Sequence, residues 1–266
     1  MPKCGLCLAE VDSLQTSHLM PAGLYKLARH KDGSGAPDPV VIGGGRSVVT
    51  SLQVAKPFLC KECEGRFAQR ESWMLGQCAR RDGFRLRAWL EQGATLRLPG
   101  RDVLAYNLDT AFAAATPYLE YFAASMFWRS GATSWRAGNY RVASINLGPY
   151  LEAFRMYLLG REPFPGHAAL VGLVDSQPHP EVLMTFPHSG RKWPGHRHMF
   201  AIPGVRFVLF VGKELPEGVR ELAINTEGPK VVFFENFTRT SFHQGVLSLV
   251  RKSPPVGKLK SERRAN

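Results

Sequence analysis

The sequence predicts an α+β protein with a zinc-stapled N-terminal module, a helical middle and a mostly antiparallel β region toward the C-terminus. Three observations carry this. Two Cys-x-x-Cys pairs, Cys4/Cys7 and Cys60/Cys63, punctuate the first part of the chain. Between about 105 and 160, apolar and aromatic residues recur at helical spacing. From about 165 to 245 the apolar runs turn short, β-branched and aromatic, and Gly, Pro and His separate them. These changes of texture divide the chain into a zinc-binding module at 1–80, a helical plus β-rich domain at 81–250 and a basic flexible tail at 251–266.

The first cysteine pair opens the chain as CGLC and is followed by SHLMP at 17–21. The stretch KDGSGAPDPVVIGGGRSVVTS, rich in Gly, Pro and Ser, reads as a long flexible loop. Its Gly43–Ser47 run lacks the spacing and the Gly-Lys-Ser/Thr ending of a phosphate loop. A helix starts near the second cysteine pair, where Phe67, Arg70/Glu71, Met74 and Cys78 recur at helical spacing, and Gly83 ends or interrupts it. LDTAFAAATPYLEYFAASMFWRS forms a strongly apolar helical stretch, with Pro117 as a kink or a break. NLGPYLEAFRMYLLGR gives a third helix, with Pro149 in its first turn and Gly160 near its end. HAALVGLVD, EVLMTFP, HMFAIPGVRFVLFVG, RELAINTE and KVVFFEN read as strands, with ELPEG as a turn. RKSPPVGKLKSERRAN carries six Lys/Arg against one Glu, a composition that stays disordered alone and suits an arm on nucleic acid.

Composition narrows the function classes. The chain has 266 residues, 44% hydrophobic and 21% charged, enough to bury a core without disulfides. No window approaches the ~18 apolar residues of a membrane helix, and no apolar run follows Pro2-Lys3-Cys4 as a signal peptide requires. We therefore expect a cytoplasmic protein with no membrane partner. Lys plus Arg outnumber Asp plus Glu by 34 to 22, a net charge of +12 that favours polyanionic partners.

In a reducing compartment, paired Cys-x-x-Cys points to metal rather than to disulfides. Cys4, Cys7, Cys60 and Cys63 supply four thiolates, a common structural zinc set. The 52 intervening residues suit a treble-clef arrangement, in which the first pair sits on a knuckle and the second opens a helix. Cys78 is left over as a small core residue.

Taken together, CGLC, SHLMP and LCKEC at 59–63 resemble the HNH endonucleases, the ββα-metal nucleases. The resemblance covers about residues 1–75. It implies a structural Zn²⁺, a catalytic Mg²⁺ or similar divalent cation, and His18 as the general base that activates water for attack on phosphorus. It also implies nucleic acid, DNA foremost, as partner, and is compatible with a role in phage defence or conflict. A companion protein or a homo-oligomer is a further partner class. Ser17 stands where the family usually places an aspartate or similar metal ligand. Gln53 is the candidate for the family's middle asparagine, and Glu64 follows the second pair. Glu64 and Glu71 are the candidate carboxylates, and Arg66, Arg70 and Lys26 the candidate phosphate contacts.

Other readings stay open. The same zinc fold could be a catalytically silent module gripping nucleic acid or protein, or residues 165–245 could form a pocket for a small nucleotide. His188, His196 and His198, with Arg191, Lys192, Trp193 and Arg197, form a metal site, a phosphate-binding hairpin or an ordinary exposed turn. Trp128, Arg129, Trp135 and Arg136 interleave aromatics with arginines as single-strand stacking does, although Trp128 also suits the core.

Overall fold

A computed structural model of the chain describes residues 1–27, 40–43, 46–49, 52–78, 84–97, 104–108, 113–142, 144–177, 183–190, 196–215, 218–225, 227 and 230–256. The fold is α+β: an N-terminal cysteine cluster, a helical middle and a C-terminal sheet rich in antiparallel pairs.

A tight turn through Cys4–Leu8 precedes β1 (Gln15–His18) and the short α1 (Ala22–Leu27). β2 (Val40–Gly43) and β3 (Arg46–Val49) pair antiparallel. That pairing replaces part of the loop expected over 31–51; residues 28–39 lie outside the described ones. β4 (Ala55–Leu59) returns to pair antiparallel with β1, placing His18 opposite Ala55 and Ser17 opposite Lys56. α2 (Lys61–Gln77) follows at once, with Cys60 as its N-cap and Cys63 in its first turn, so the second cysteine pair opens this helix. α2 ends at Gln77; Gly83, the expected terminator, falls outside the described residues.

The middle is helical, with strands the sequence did not announce. After α3 (Arg85–Leu90) come β5 (Thr95–Arg97) and β6 (Leu104–Asn107). β6 begins where a helix was expected, because it pairs with a distant strand of the main sheet. α4 (Thr116–Ala132) carries Pro117 in its first turn, where a missing N–H leaves no bond unmade; the proline opens the helix and does not kink it. β7 (Trp135–Ala137) and β8 (Tyr140–Val142) form a hairpin before α5 (Leu151–Leu158), which a 3₁₀ turn at Gly148–Tyr150 introduces.

The large sheet takes β9 (Ala168–Asp175), β10 (Thr185–Ser189), β11 (His196–Ile202), β12 (Val205–Val211) and β13 (Val231–Glu235). With β5 and β6 it has seven strands in the order β10-β11-β12-β9-β13-β6-β5. Only the β13–β9 pairing is parallel. RELAINTE, read as a strand, begins with a 3₁₀ turn at Arg220–Leu222 followed by a turn at 224–225; residue 226 lies outside the described ones. The strand region stops at Glu235, and α6 (Ser241–Lys252) follows, capped by the Thr240 hydroxyl accepting from the His243 amide at 3.1 Å. α6 thus runs into the segment read as a flexible tail, and β14 (Pro255–Val256) pairs with β3; residues 257–266 lie outside the described ones.

α4 is buried almost all round from Phe122 to Ser130, the pattern of a central helix. Phe122 and Phe127 pack on Phe200 of the large sheet, with ring centroids 6.2 and 5.0 Å apart. On the other side Trp128 stacks on Phe58 of β4 at 5.6 Å. One hydrophobic cluster therefore runs from Cys4 and Leu6 through Trp128 to Leu209. Among the described residues no helix is long and apolar enough to cross a membrane.

Candidate metal centre

Cys4, Cys7, Cys60 and Cys63 converge, with all four sulfurs within 4.8 Å of one another and Cys7 Sγ 3.9 Å from Cys60 Sγ. Tetrahedral Zn–S bonds of ~2.3 Å put sulfurs about 3.8 Å apart, so four thiolates and one ion fit this spacing with small adjustment. The backbone builds the cage from both sides. The Leu8 amide donates to the Cys4 carbonyl at 3.0 Å, closing the first turn, and the Cys60 amide donates to Cys4 Sγ at 3.2 Å. The Gly5 amide donates to the Phe58 carbonyl at 2.9 Å, laying the knuckle on β4. A Cβ at Gly5 would lie 2.1 Å from the Phe58 ring, so this approach needs glycine. Leu8 takes φ 63°, a left-handed conformation that leucine rarely adopts and that the tight knuckle imposes.

The electrostatics favour a cation. Burial raises the Cys4 thiol, but amide donors from Cys60, Cys7 and Leu6 outweigh it and bring it down to about 7. Burial, then the neighbouring Cys60 and Cys4 sulfurs, drive Cys63 above the ordinary thiol range, and burial also raises Cys7. Four thiolates this close repel one another, and a divalent ion is what lets them ionise together. The chain thus carries a cysteine tetrad close enough to hold a metal such as zinc.

Beside the tetrad, β1 meets α2. The fully buried Ser17 hydroxyl donates to Glu64 Oε2 at 2.7 Å. Strand alternation turns the next side chain, His18, to the other face of β1, where it is half-buried. Glu71 lies two turns along α2 from Glu64, within ~20° of the same face. Its carboxylate is held by Arg129 of α4, with Nη2 2.5 Å from Oε1. Arg129 Nη1 also donates to the His18 carbonyl at 3.0 Å, and the guanidinium lies 4.4 Å from the Phe67 ring centroid. Gln53 is half-buried two residues ahead of Ala55, the partner of His18.

The structure separates the expected arginines from this corner. Arg66 and Arg70 sit ~200° and ~240° around α2 from Glu64, close to its opposite side. Arg66 pairs with Glu62 at 3.2 Å and reaches the Leu159 carbonyl at 3.4 Å, while Arg70 covers the Tyr121 ring at 4.7 Å. Lys26 is exposed in the last turn of α1, the helix that follows β1. Cys78 and Trp128 are core residues. His188, His196 and His198 do not converge on a metal site among the described residues, where the cysteine tetrad alone meets that geometry. His196 and His198 stack at 6.1 Å on one face of β11, and buried His198 meets the Ser189 hydroxyl at 3.1 Å through Nδ1.

In the sequence Arg129 suits stacking on nucleic acid; the structure buries it instead. It is 1% exposed and belongs to the site's framework. The signal for this was present: an arginine inside the apolar run FAASMFWRSGA is either at a helix end or buried with a partner. Comparison with protein families, curated proteins and solved structures gave no match.

Proposed function

We propose that the chain is a zinc-stapled, HNH-like nuclease that hydrolyses phosphodiesters in nucleic acid, DNA foremost. The observation that supports this reading is the Ser17–Glu64 hydrogen bond at 2.7 Å. Ser17 occupies the position at which HNH-like sequences carry a metal ligand, and it is bonded to a carboxylate on the helix the zinc site opens. A half-buried imidazole at the end of β1 stands next in sequence.

In this reading His18 accepts the proton of the attacking water and Glu64, bonded to Ser17 on the opposite face of β1, supplies the carboxylate of the cation site; the two act on one phosphodiester only if the imidazole turns about the strand end toward Ser17. Mg²⁺ takes one or two protein carboxylates and completes its shell with water and phosphate oxygens, so Glu64 with a phosphodiester fits it. When bound, such an ion neutralises charge developing on phosphorus and on the leaving oxygen. Glu71 is paired to Arg129 and Gln53 has no acidic group, so neither fills the carboxylate role. Lys26 offers a phosphate contact near β1, and the net charge of +12 favours a polyanion at low salt.

A second reading, a catalytically silent nucleic-acid binding module, draws on the same corner: a serine replaces the usual ligand and Arg129 neutralises one of the two carboxylates. The zinc-loaded chain, supercoiled plasmid and Mg²⁺ separate the two. The nuclease reading expects nicking. It expects His18→Ala to slow nicking by ~10²–10⁴-fold and Glu64→Gln to slow it as well, with zinc content and DNA affinity unchanged. A wild-type protein that binds DNA in a salt-sensitive way yet leaves the plasmid supercoiled in Mg²⁺ and Mn²⁺ refutes the nuclease and leaves the binding module.

A further inference from the structure

We infer that Arg129 is the positioning residue of this corner: it sets the His18 end of β1 and withdraws Glu71 from cation binding. Its catalytic consequence rests on the nuclease reading; its structural consequence does not.

Arg129 sits three residues from the end of α4; its guanidinium donates a hydrogen bond through one nitrogen and forms an ion pair through another. Nη1 meets the His18 carbonyl at 3.0 Å and Nη2 meets Glu71 Oε1 at 2.5 Å. This is a use of the planar fork that a lysine ammonium cannot reproduce, since lysine offers a single nitrogen. The Phe67 ring 4.4 Å away packs against the guanidinium, and the Trp135 indole donates to the Arg129 carbonyl at 2.8 Å, fixing the end of the helix. A buried arginine costs a great deal unless it is paired, and these contacts supply its partners.

The arrangement answers a mechanical need. The β1–β4 sheet has two strands, and a two-stranded sheet alone is marginal. A catalytic imidazole, by contrast, has to be held to within ~0.5 Å. α4 is rigid by comparison: Phe122 and Phe127 anchor it on Phe200, and Trp128 stacks on Phe58 of β4. Through Arg129 that helix grips the main chain at His18 itself. The same contact decides which carboxylate is available. Glu71 shares a face of α2 with Glu64, and once Arg129 takes it, Glu64 is the carboxylate left at Ser17.

The test uses the full chain with two variants. Arg129→Met/Glu71→Leu removes the pair together, because breaking it singly would strand a buried charge, whereas apolar replacement of a whole pair is often tolerated. Arg129→Lys keeps the charge but places its donors on a single nitrogen. Zinc content, DNA affinity, nicking kinetics and amide hydrogen exchange are measured for both. The Leu19 amide, which donates to the Val54 carbonyl at 2.9 Å beside His18, is the local reporter. In the double variant we expect normal zinc and DNA affinity, kcat lower by about 10²-fold with KM unchanged, and exchange at Leu19 at least about tenfold faster while the large sheet keeps its protection. Arg129→Lys should recover part of both effects. Wild-type kcat together with wild-type exchange at Leu19 would overturn the inference, as would a loss of protection spread evenly over the chain. If the wild type never nicks, the nuclease reading falls by itself, and the exchange at Leu19 still decides the role of Arg129.

Discussion

Replacing Cys60 by serine removes one of four thiolates from a cage whose sulfurs lie within 4.8 Å of one another. Serine's shorter, harder oxygen is not ionised at neutral pH and cannot take the fourth place in a thiolate set. Structural zinc contributes ~10–16 kcal/mol of apparent binding energy in zinc-finger peptides, which matches or exceeds the ~5–15 kcal/mol stability of a whole domain. The knuckle cannot absorb such a loss: it touches β4 through the Gly5 amide, and Leu8 already holds a left-handed backbone. Even if the surrounding core retained the rest, a loss of about 4 kcal/mol would lower the melting midpoint by roughly 8–16 °C in a chain of this size. Elemental analysis should give one zinc per wild-type chain and a small fraction of that in Cys60→Ser. The sign of the pH dependence follows from the ligands. Burial holds Cys63 and Cys7 above the ordinary thiol range, so protons compete with metal at those sulfurs and zinc should leave as the pH falls. Well-folded wild-type protein without zinc, or a Cys60→Ser midpoint within about 2 °C of wild type, which is less than ~1 kcal/mol, refutes this reasoning.

Two further outcomes test the fold around the site. Leu8→Gly should raise stability by up to ~1 kcal/mol, because glycine takes a positive φ without a steric penalty and the leucine side chain is exposed; a lower midpoint in the melt would mean that the leucine packs usefully. His198 is held down to about 4 from 6.5, by burial first and then by the charges of His196 and His188 against one favourable backbone bond at Asn146, with the Ser189 hydroxyl also facing the ring. The unfolded chain therefore binds this proton more readily than the folded one. Stability from the buried neutral ring is present above pH 6.5 and is lost as the pH falls toward 4, by up to ~3 kcal/mol. Thermal melts of wild type and His198→Gln between pH 7.5 and 4.5 check this: the variant should show the flatter profile, and parallel profiles would remove His198 from the account.

The legible parts of the fold were those with local signatures. The cysteine spacing announced the tetrad, the helical period announced α2 and α5, and the β-branched runs announced β9, β11, β12 and β13. The parts missed are those decided by distant partners. LAYN at 104–107 is a strand because it pairs with VVF at 231–233, far along the chain. VVIGGGRSVV looked like a loop, since its glycines dominate the composition, yet its valines pair with one another and then with Pro255–Val256. SFHQGVLSLVRK was overlooked as a helix because Gly245 and β-branched valines weaken its propensity. Its N-cap was nevertheless written in the sequence: Thr240 caps the third residue on, His243.

The candidate site shows the same division between local and distant information. His18, Glu64 and Glu71 are named by short motifs, and helix geometry alone puts the two glutamates on one face and Arg66 and Arg70 near the other. No local rule could say which glutamate stays available, because that depends on Arg129, which is 58 residues beyond Glu71 in the chain. What could have been argued is a demand rather than a contact. An arginine buried in the apolar last turn of a helix has to find a carboxylate, and a carboxylate on the buried side of α2 has to find a cation. Two residues that each lack a partner in their own surroundings satisfy one another, and the His18 carbonyl is drawn into the same exchange. The chemistry of His18 is therefore tied to a helix that a motif search over residues 1–75 would never reach.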